Sequence, residues 1–467
     1  MTAALLPVIV GAGPAGIRAA QTLVRHGLRP IVLDEAGRCG GQIYRQPPAN
    51  FGRSSKTLYG FEAGRAEAVH RAMGAMRDRI DYRPETLVWN AEAGQLDVLC
   101  QGQTSTVAYT QLIVATGATD RVLPVVGWTA PGVFTLGAAQ VALKFQGCAI
   151  GERVVLMGTG PLLYLIAYQY AKAGATVAAV LDSATLTDQI AALPALAQQP
   201  GALAKGLYYV AWLRAHGVPL RGGVQPLRVL AQGRAGRVSG IVWRDAQGEH
   251  TLVCDAIGLG YGLRCETQLA DILGCHFRFD ALQRAWLPER DAAGRTRVTG
   301  LYLAGDGAAI LGADAAEWAG ERAALALLAD AGVYLDAPER ARALTLEARL
   351  ARARRFRAGL ERAFPMPVNW AAQAPDELVI CRCEEVTAGD LRRTALATGA
   401  RELNRLKALS RFGMGRCQGR MCATAAAEIL ADCSAQSPSD VGRLRGQAPV
   451  KPIPFSVGAA LRHQEPA

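Results

Sequence analysis

The 467-residue sequence contains no run of about 18 uninterrupted apolar residues, the length that a membrane-spanning helix needs. Even LLYLIAYQYAKAGATVAAV is broken by Gln169 and Lys172, so no transmembrane segment is expected. The opening residues, MTAALLP, carry no basic region and run directly into an apolar strand. That leaves no room for a cleavable export signal and predicts a cytoplasmic protein. Histidine is scarce, with six scattered residues and none in a metal-ligand or Cys-His signature. Its scarcity removes the usual nucleophilic and acid-base constellations, so no catalytic residue is assigned; His70 and His276 read as packing or surface residues. The 51 Lys and Arg exceed the 40 Asp and Glu, giving a net charge of +11, which could attract acidic partners or an anionic membrane surface. The arginines are spread along the chain, however, and the stretch RLARARRFR from Arg349 reads as the solvated face of a helix. Nucleic acid is not expected as a partner, and peripheral contact with the inner membrane stays open.

What is present is an α/β chain with cysteines. Half of the residues are hydrophobic, and the length suggests two to four domains with their own cores. Eleven cysteines in a chain without an export signal argue for reduced thiols and metal chemistry rather than a disulfide scaffold. One pattern occurs twice: VIVGAGPAG from Val8 and VVLMGTGPLL from Val154, each an apolar strand, then glycines, then a helical pattern. Two dinucleotide-binding (Rossmann-like) folds are expected.

In the first, Gly11, Gly13 and Gly16 follow a strand and open a helix at Pro14 and Ala15. Gly11 permits the tight turn, Gly13 lets a pyrophosphate approach the backbone, and Gly16 lets the helix pack on the sheet. Asp34 closes the second strand and is placed to accept from a ribose diol, with Glu35 as the neighbour that could share this role. The motif alone does not separate FAD from NAD. The segments GGQIYRQ, ATG and GLYLAGD resemble, in order and spacing, the FAD-contacting segments of flavoproteins of the thioredoxin reductase type. The resemblance implies that Thr116 and Gly117 contact FAD, that Asp306 beside Gly305 bonds the ribityl chain, and that Gly41 and Gln42 lie close to the flavin.

The second motif is degraded. Gly158 and Gly160 are followed by Leu163, where a dinucleotide site usually wants Gly or Ala. Asp182 closes the matching strand and could still hold a ribose. NAD(H), another adenine nucleotide and a fold without ligand all remain open, and NADP is less favoured because no arginine pair follows the strand.

Cys381 and Cys383 form a CxC pair, and Cys417 and Cys422 form a CxxxxC pair, joined by a stretch that reads as helices. Four thiolates are the donor set of an iron-sulfur cluster or of structural zinc, and a redox disulfide at Cys417 and Cys422 is a further alternative. The pattern resembles the small helical domain of bacterioferritin-associated ferredoxin, which implies a 2Fe-2S cluster. Cys433 reads as a buried helix residue. Cys39, Cys100, Cys148, Cys254, Cys265 and Cys275 have no motif spacing and read as partly buried thiols.

Taken together, GAGPAG, GGQIYRQPP, PGVFTLGAAQ, LGYGLRCETQLADILG, the GLYLAGD segment and CRCEEVT resemble the alpha subunits, carrying FAD and 2Fe-2S, of heteromeric bacterial amino-acid dehydrogenases. These include opine oxidases, D-hydroxyproline and proline dehydrogenases and hydrogen cyanide synthase. The resemblance implies a catalytic flavin-containing partner, room for a small ferredoxin-like subunit, and an acceptor such as a quinone. The expected organisation is an FAD-binding domain at 1–122 and 285–335, a nucleotide-binding domain at 123–284, and a helical linker at 336–375. A helical 2Fe-2S domain at 376–433 and an extended tail at 434–467 complete it.

Overall fold

Apolar runs that end in glycine turns build two parallel sheets in the computed structural model, which describes residues 5–48 and 50–454. In the first sheet Pro7–Val10 is flanked by Ile31–Leu33 and Gln111–Val114; Asp81–Arg83 and Leu301–Leu303 form the edges, and every pairing is parallel. All but the edge strand Asp81–Arg83 are buried on both faces, so they read as nearly unbroken apolar runs. Ile9, Val32 and Ile113 are wholly buried, each worth roughly 1.5–3 kcal/mol. The second sheet has the order Leu220–Arg221, Thr176–Asp182, Arg153–Thr159, Ala256–Tyr261, Val133–Thr135, again parallel. The chain passes between the two folds through the strand Ala118–Asp120, paired antiparallel with Leu263–Cys265 on the return.

The return differs from the expected break at 284. Leu269, Ala270 and Cys275 pack with Val8, Leu112 and Leu301 in the core of the first sheet. The hairpin of Phe277–Asp280 and Ala285–Pro288 spans the expected boundary. The segment expected as a linker also has more structure than a tether. Ala337–Ala363 is one helix, started by an Asp336 and Glu339 capping box. Its Leu350 and Ala353 pack with Ala315 of the helix Ala313–Asp330, and its Ala363 packs with Ala192 and Leu196 of the second fold. It therefore straps both folds together.

Residues 379–433 form a short strand pair and three helices, Ala388–Thr398, Leu403–Ser410 and Ala423–Cys433. This unit shares a core with the second fold: the Trp128 indole donates to the Val379 carbonyl at 2.7 Å. After Cys433 the described residues carry no further helix or strand, yet they are anchored. Val441 is fully buried, Arg443 forms an ion pair with Asp271, and the Val450 amide donates to the Trp89 carbonyl at 2.9 Å. The remainder of the expected tail, 455–467, lies outside the described residues. No helix among the described residues is long and apolar enough to cross a membrane.

Candidate functional site

The first glycine turn is held by Asp34. Its Oδ2 accepts from the Ala12 amide, inside the turn, and its Oδ1 from the Ala36 amide. Burial raises the Asp34 pKa, opposed by these two bonds. Each oxygen keeps a lone pair for a further donor, as a ribose diol requires. Gly11 has φ +106°, and Pro14 starts the helix Pro14–Arg25. A Cβ on Gly16 would lie 1.8 Å from the Gly11 carbonyl oxygen, so only glycine permits this helix to approach the strand. Gly41 packs against Gly13, 3.7 Å from where a Gly13 Cβ would be.

Gly11, Gly13, Pro14, Ala15, Asp34 and Glu35 line one cavity of about 1080 Å³. Its walls also carry Gly41, Gln42, Thr116, Gly117, Gly305 and Asp306, so segments far apart in sequence meet there. Asp306 Oδ1 accepts from the Leu311 and Gly312 amides at 2.9 and 3.2 Å, and burial raises its pKa. Oδ2 has no protein donor among the described residues. Amide-lined glycine loop, ribose-type carboxylate and this second carboxylate fit an extended dinucleotide such as FAD. Glu35 is exposed and paired with Lys451 of the C-terminal segment, so that partnership competes with the ribose role expected for it.

The second motif folds for a different reason. Gly158 has φ +136°, and a Cβ there would meet the Gly260 carbonyl oxygen at 1.7 Å, so the glycine serves strand packing. Leu163 is fully buried. Asp182 has no exposed surface and is engaged internally: Oδ1 accepts from Thr159 Oγ1 at 2.7 Å and the Ala184 amide at 2.9 Å, and Oδ2 accepts from the Tyr164 hydroxyl at 2.7 Å. Burial pushes its pKa up to about 6. The expectation that a ribose would meet Asp182 therefore finds a carboxylate already occupied. Gly158, Gly160 and Asp182 do not line the large cavity, although Tyr164 does.

The four predicted thiols converge. Cys422 lies close enough to Cys381 and Cys417, and Cys417 to Cys383, for the thiols to shift one another's pKa values. The Cys422 thiol brings the Cys381 pKa down to about 6 and that of Cys417 to about 5, toward the thiolate that binds metal. Among the described residues no three His, Cys, Asp or Glu side chains are arranged to hold a single metal ion. Four cysteine thiols drawn together with no histidine or carboxylate among them are a donor set that fits an iron-sulfur cluster.

Three residues of the LGYGLRCETQLADILG segment, none of them given a role from the sequence, tie this loop to the dinucleotide cradle. Glu266 forms a two-pronged ion pair with Arg420 at 2.7 and 2.9 Å, and its carbonyl accepts from Thr116 Oγ1 at 2.6 Å. Arg264 donates to the Arg420 carbonyl at 2.9 Å, and Gln268 to that of Gln418 at 2.7 Å. Cys417, Arg420 and Met421 line the same cavity as Gly11 and Asp34. Two sequence signals pointed here: Arg420 falls inside the CxxxxC loop, and Arg264, Glu266 and Gln268 fall inside LGYGLRCETQLADILG.

This pair carries a pH prediction. Burial would raise the Glu266 pKa, but Arg420 more than offsets it and lowers the pKa overall. Its stabilisation is therefore complete above the ordinary carboxylate pKa of about 4.3 and is lost as pH falls through the lower folded value. Glu266→Ala leaves Arg420 buried and unpaired, at a cost of about 3–5 kcal/mol. Denaturant titration at pH 7 should show that loss, and the difference from wild type should shrink as pH falls below about 4.

Residues 7–327 match the family model described as pyridine nucleotide-disulphide oxidoreductase, and residues 379–432 match the BFD-like 2Fe-2S binding domain. The chain is 38% identical to the A subunit of opine oxidase from Agrobacterium tumefaciens (strain Ach5), over 98% of this chain and 92% of that protein. It is 34% identical to hydrogen cyanide synthase subunit HcnB of Pseudomonas protegens, over 97% of each. Among solved structures, the L-proline dehydrogenase from P. horikoshii shares the fold with a TM-score of 0.71 at 19% identity, over 97% of this chain and 79% of that one. The chain belongs to the pyridine nucleotide-disulphide oxidoreductase family, as an FAD-dependent oxidoreductase of the group that joins this fold to a 2Fe-2S domain and includes the opine oxidase A subunits and HcnB.

Proposed function

We propose that this chain is the electron-carrying component of a heteromeric amino-acid dehydrogenase. In this reading a partner with its own flavin oxidises an opine, D-hydroxyproline or a proline-like amino acid. The FAD and cluster held here pass the electrons to an acceptor such as a quinone, and a small ferredoxin-like protein is a further partner. The observation that carries the reading is the shared cavity, in which Cys417 of the cluster loop and the Gly11 to Asp34 cradle form one wall system. Bound FAD would take two electrons and give them up singly, the form in which a 2Fe-2S cluster accepts them. The chain's own part is geometric: Glu266, Arg264 and Gln268 hold the loop carbonyls, and Thr116 fixes that segment to the cradle.

The opine oxidase relative supports the substrate class, and the resemblance to hydrogen cyanide synthase brings glycine as the alternative substrate to be tested. The occupied Asp182 speaks against a self-sufficient NADH reductase. The test mixes the purified chain anaerobically with NADH, and separately with opines, proline derivatives and glycine, while following flavin absorbance. Flavin in the isolated chain should stay oxidised in every case, and one amino acid should bleach it once the partner is added. Full amino-acid dehydrogenase activity in the isolated chain, or rapid bleaching by NADH, overturns the reading.

A further inference from the structure

Lys144 is a buried cation with no assigned partner. It is 4% exposed, and lysine is almost never so buried without one. The helix Leu136–Val141, capped by Thr135, runs into a π-helical turn at Ala142–Gln146 that carries Lys144. Such turns recur at functional sites. Nζ donates to the Ile43 carbonyl at 3.1 Å and lies 5.8 Å from the centroid of the Tyr59 ring. An ammonium has three donors, and Ile43 takes one.

The charges around Lys144 are committed elsewhere. Glu62, the acidic group whose charge it feels, is paired with Lys205 and Arg65, and Arg65 also with Asp314. Arg45 donates to Gln42 and lies over Phe145, and His70 is bonded to the Tyr44 carbonyl. Among the described residues no carboxylate is within ion-pair distance of Lys144. Lys144 instead lines the large cavity beside Gly41, Gln42 and Ile43, the segment that packs on Gly13. Lys144 thus comes from the second fold and reaches the cofactor cradle of the first.

We propose that Lys144 is the counter-charge to reduced FAD: it offers its free N–H bonds to the cofactor and stabilises the negative charge that the flavin gains on reduction. The inference rests on FAD occupying the cradle. Two electrons and one proton, delivered as a hydride equivalent from the amino acid through the partner, leave one net negative charge on the flavin. A cation as buried as Lys144 lowers the energy of that state more than an exposed one would.

Burial brings the Lys144 pKa down to about 8, with Glu62 opposing. Below pH 8 the ammonium is charged whether or not the flavin is reduced. Above it, reduction draws one additional proton onto Lys144, because the new negative charge raises its pKa. The midpoint potential of the bound FAD should therefore fall more steeply with pH above about 8, by an added 30 mV per unit for one proton per two electrons.

The test is spectroelectrochemical titration of FAD in the full chain from pH 6 to 10, with the cluster potential as internal reference. Wild type should show the steepening. Lys144→Arg should keep the potential at pH 7 and lose the steepening. Lys144→Met should lose the steepening and shift the two-electron equilibrium about tenfold toward oxidised flavin, roughly 30 mV at pH 7. A wild-type slope without inflection, or Lys144→Met with bound FAD and unchanged potentials, overturns the inference. Should Lys144→Met lose its cofactor, the wild-type slope and Lys144→Arg decide. Wild type that binds no FAD fails the cofactor reading, and that outcome is read directly from absorbance.

Discussion

Cys422→Ser should yield a chain that binds FAD normally and carries no iron-sulfur cluster. Cys422 is 1% exposed and is the thiol whose pKa is shifted by both Cys381 and Cys417, so it sits between them in the quartet. Serine nearly preserves its volume, and the helix Ala423–Cys433 that begins beside it should keep its packing. A hydroxyl, however, is a harder and more weakly ionised donor than the thiolate that iron-sulfur chemistry requires. Iron content and cluster absorbance should fall to background while the FAD to protein ratio stays at wild type. Delivery of electrons to a one-electron acceptor, driven by substrate and the partner, should drop by more than about 100-fold, beyond the range of outer-shell changes. Cys433→Ser is the control: its thiol is bonded to the Leu430 carbonyl within its own helix, and the cluster should survive. Full iron loading of Cys422→Ser would remove the ligand assignment.

The two glycine motifs show how far the sequence could be read. Each lies within a strand, a turn and a helix, and both folds were visible for that reason. What separates them is Tyr164. Its hydroxyl reaches Asp182 across 18 positions, and no pattern distinguishes a tyrosine that occupies a carboxylate from one that packs a core. The quartet of cysteines was legible because CxC and CxxxxC bring thiols together locally. The link between that loop and the cradle was not: Glu266 and Arg420 are 154 positions apart, and Lys144 is 101 from Ile43. Pairings of that separation are products of tertiary packing, and they leave no periodicity. The misplaced boundary near 284 has the same origin. Leu269 and Cys275 follow the second fold in sequence but bury themselves against Val8 and Leu112, a choice set by which sheet presents an open apolar face.

Gly16→Ala should give the mirror image of Cys422→Ser: cluster present, FAD lost. The added Cβ would lie 1.8 Å from the Gly11 oxygen, 3.0 Å from its carbonyl carbon and 3.2 Å from Ile9 Cγ2. Two of these are backbone atoms that no rotamer change can move. The helix Pro14–Arg25 must therefore lift off its strand, but it is held on its other side. A Cβ on Gly320 of the helix Ala313–Asp330 would lie 1.9 Å from the Ala15 oxygen, so the two helices already touch at their backbones. Lifting one displaces the Gly13 to Ala15 helix start, where a pyrophosphate would be bound by amides and the helix dipole. Overpacking typically costs about 1–3 kcal/mol, and a clash between backbones belongs at the upper end. If most of that falls on the cofactor-binding conformation, the FAD Kd should rise by roughly 100-fold, at 1.4 kcal/mol per tenfold. The thiol quartet lies in another unit, so iron content should be unchanged. Gly64→Ala, in a helix where a Cβ meets nothing within 4 Å, should bind FAD like wild type and gain about 0.4–1 kcal/mol in denaturant titration. Wild-type FAD affinity in Gly16→Ala would mean that the cofactor is held elsewhere than at this turn.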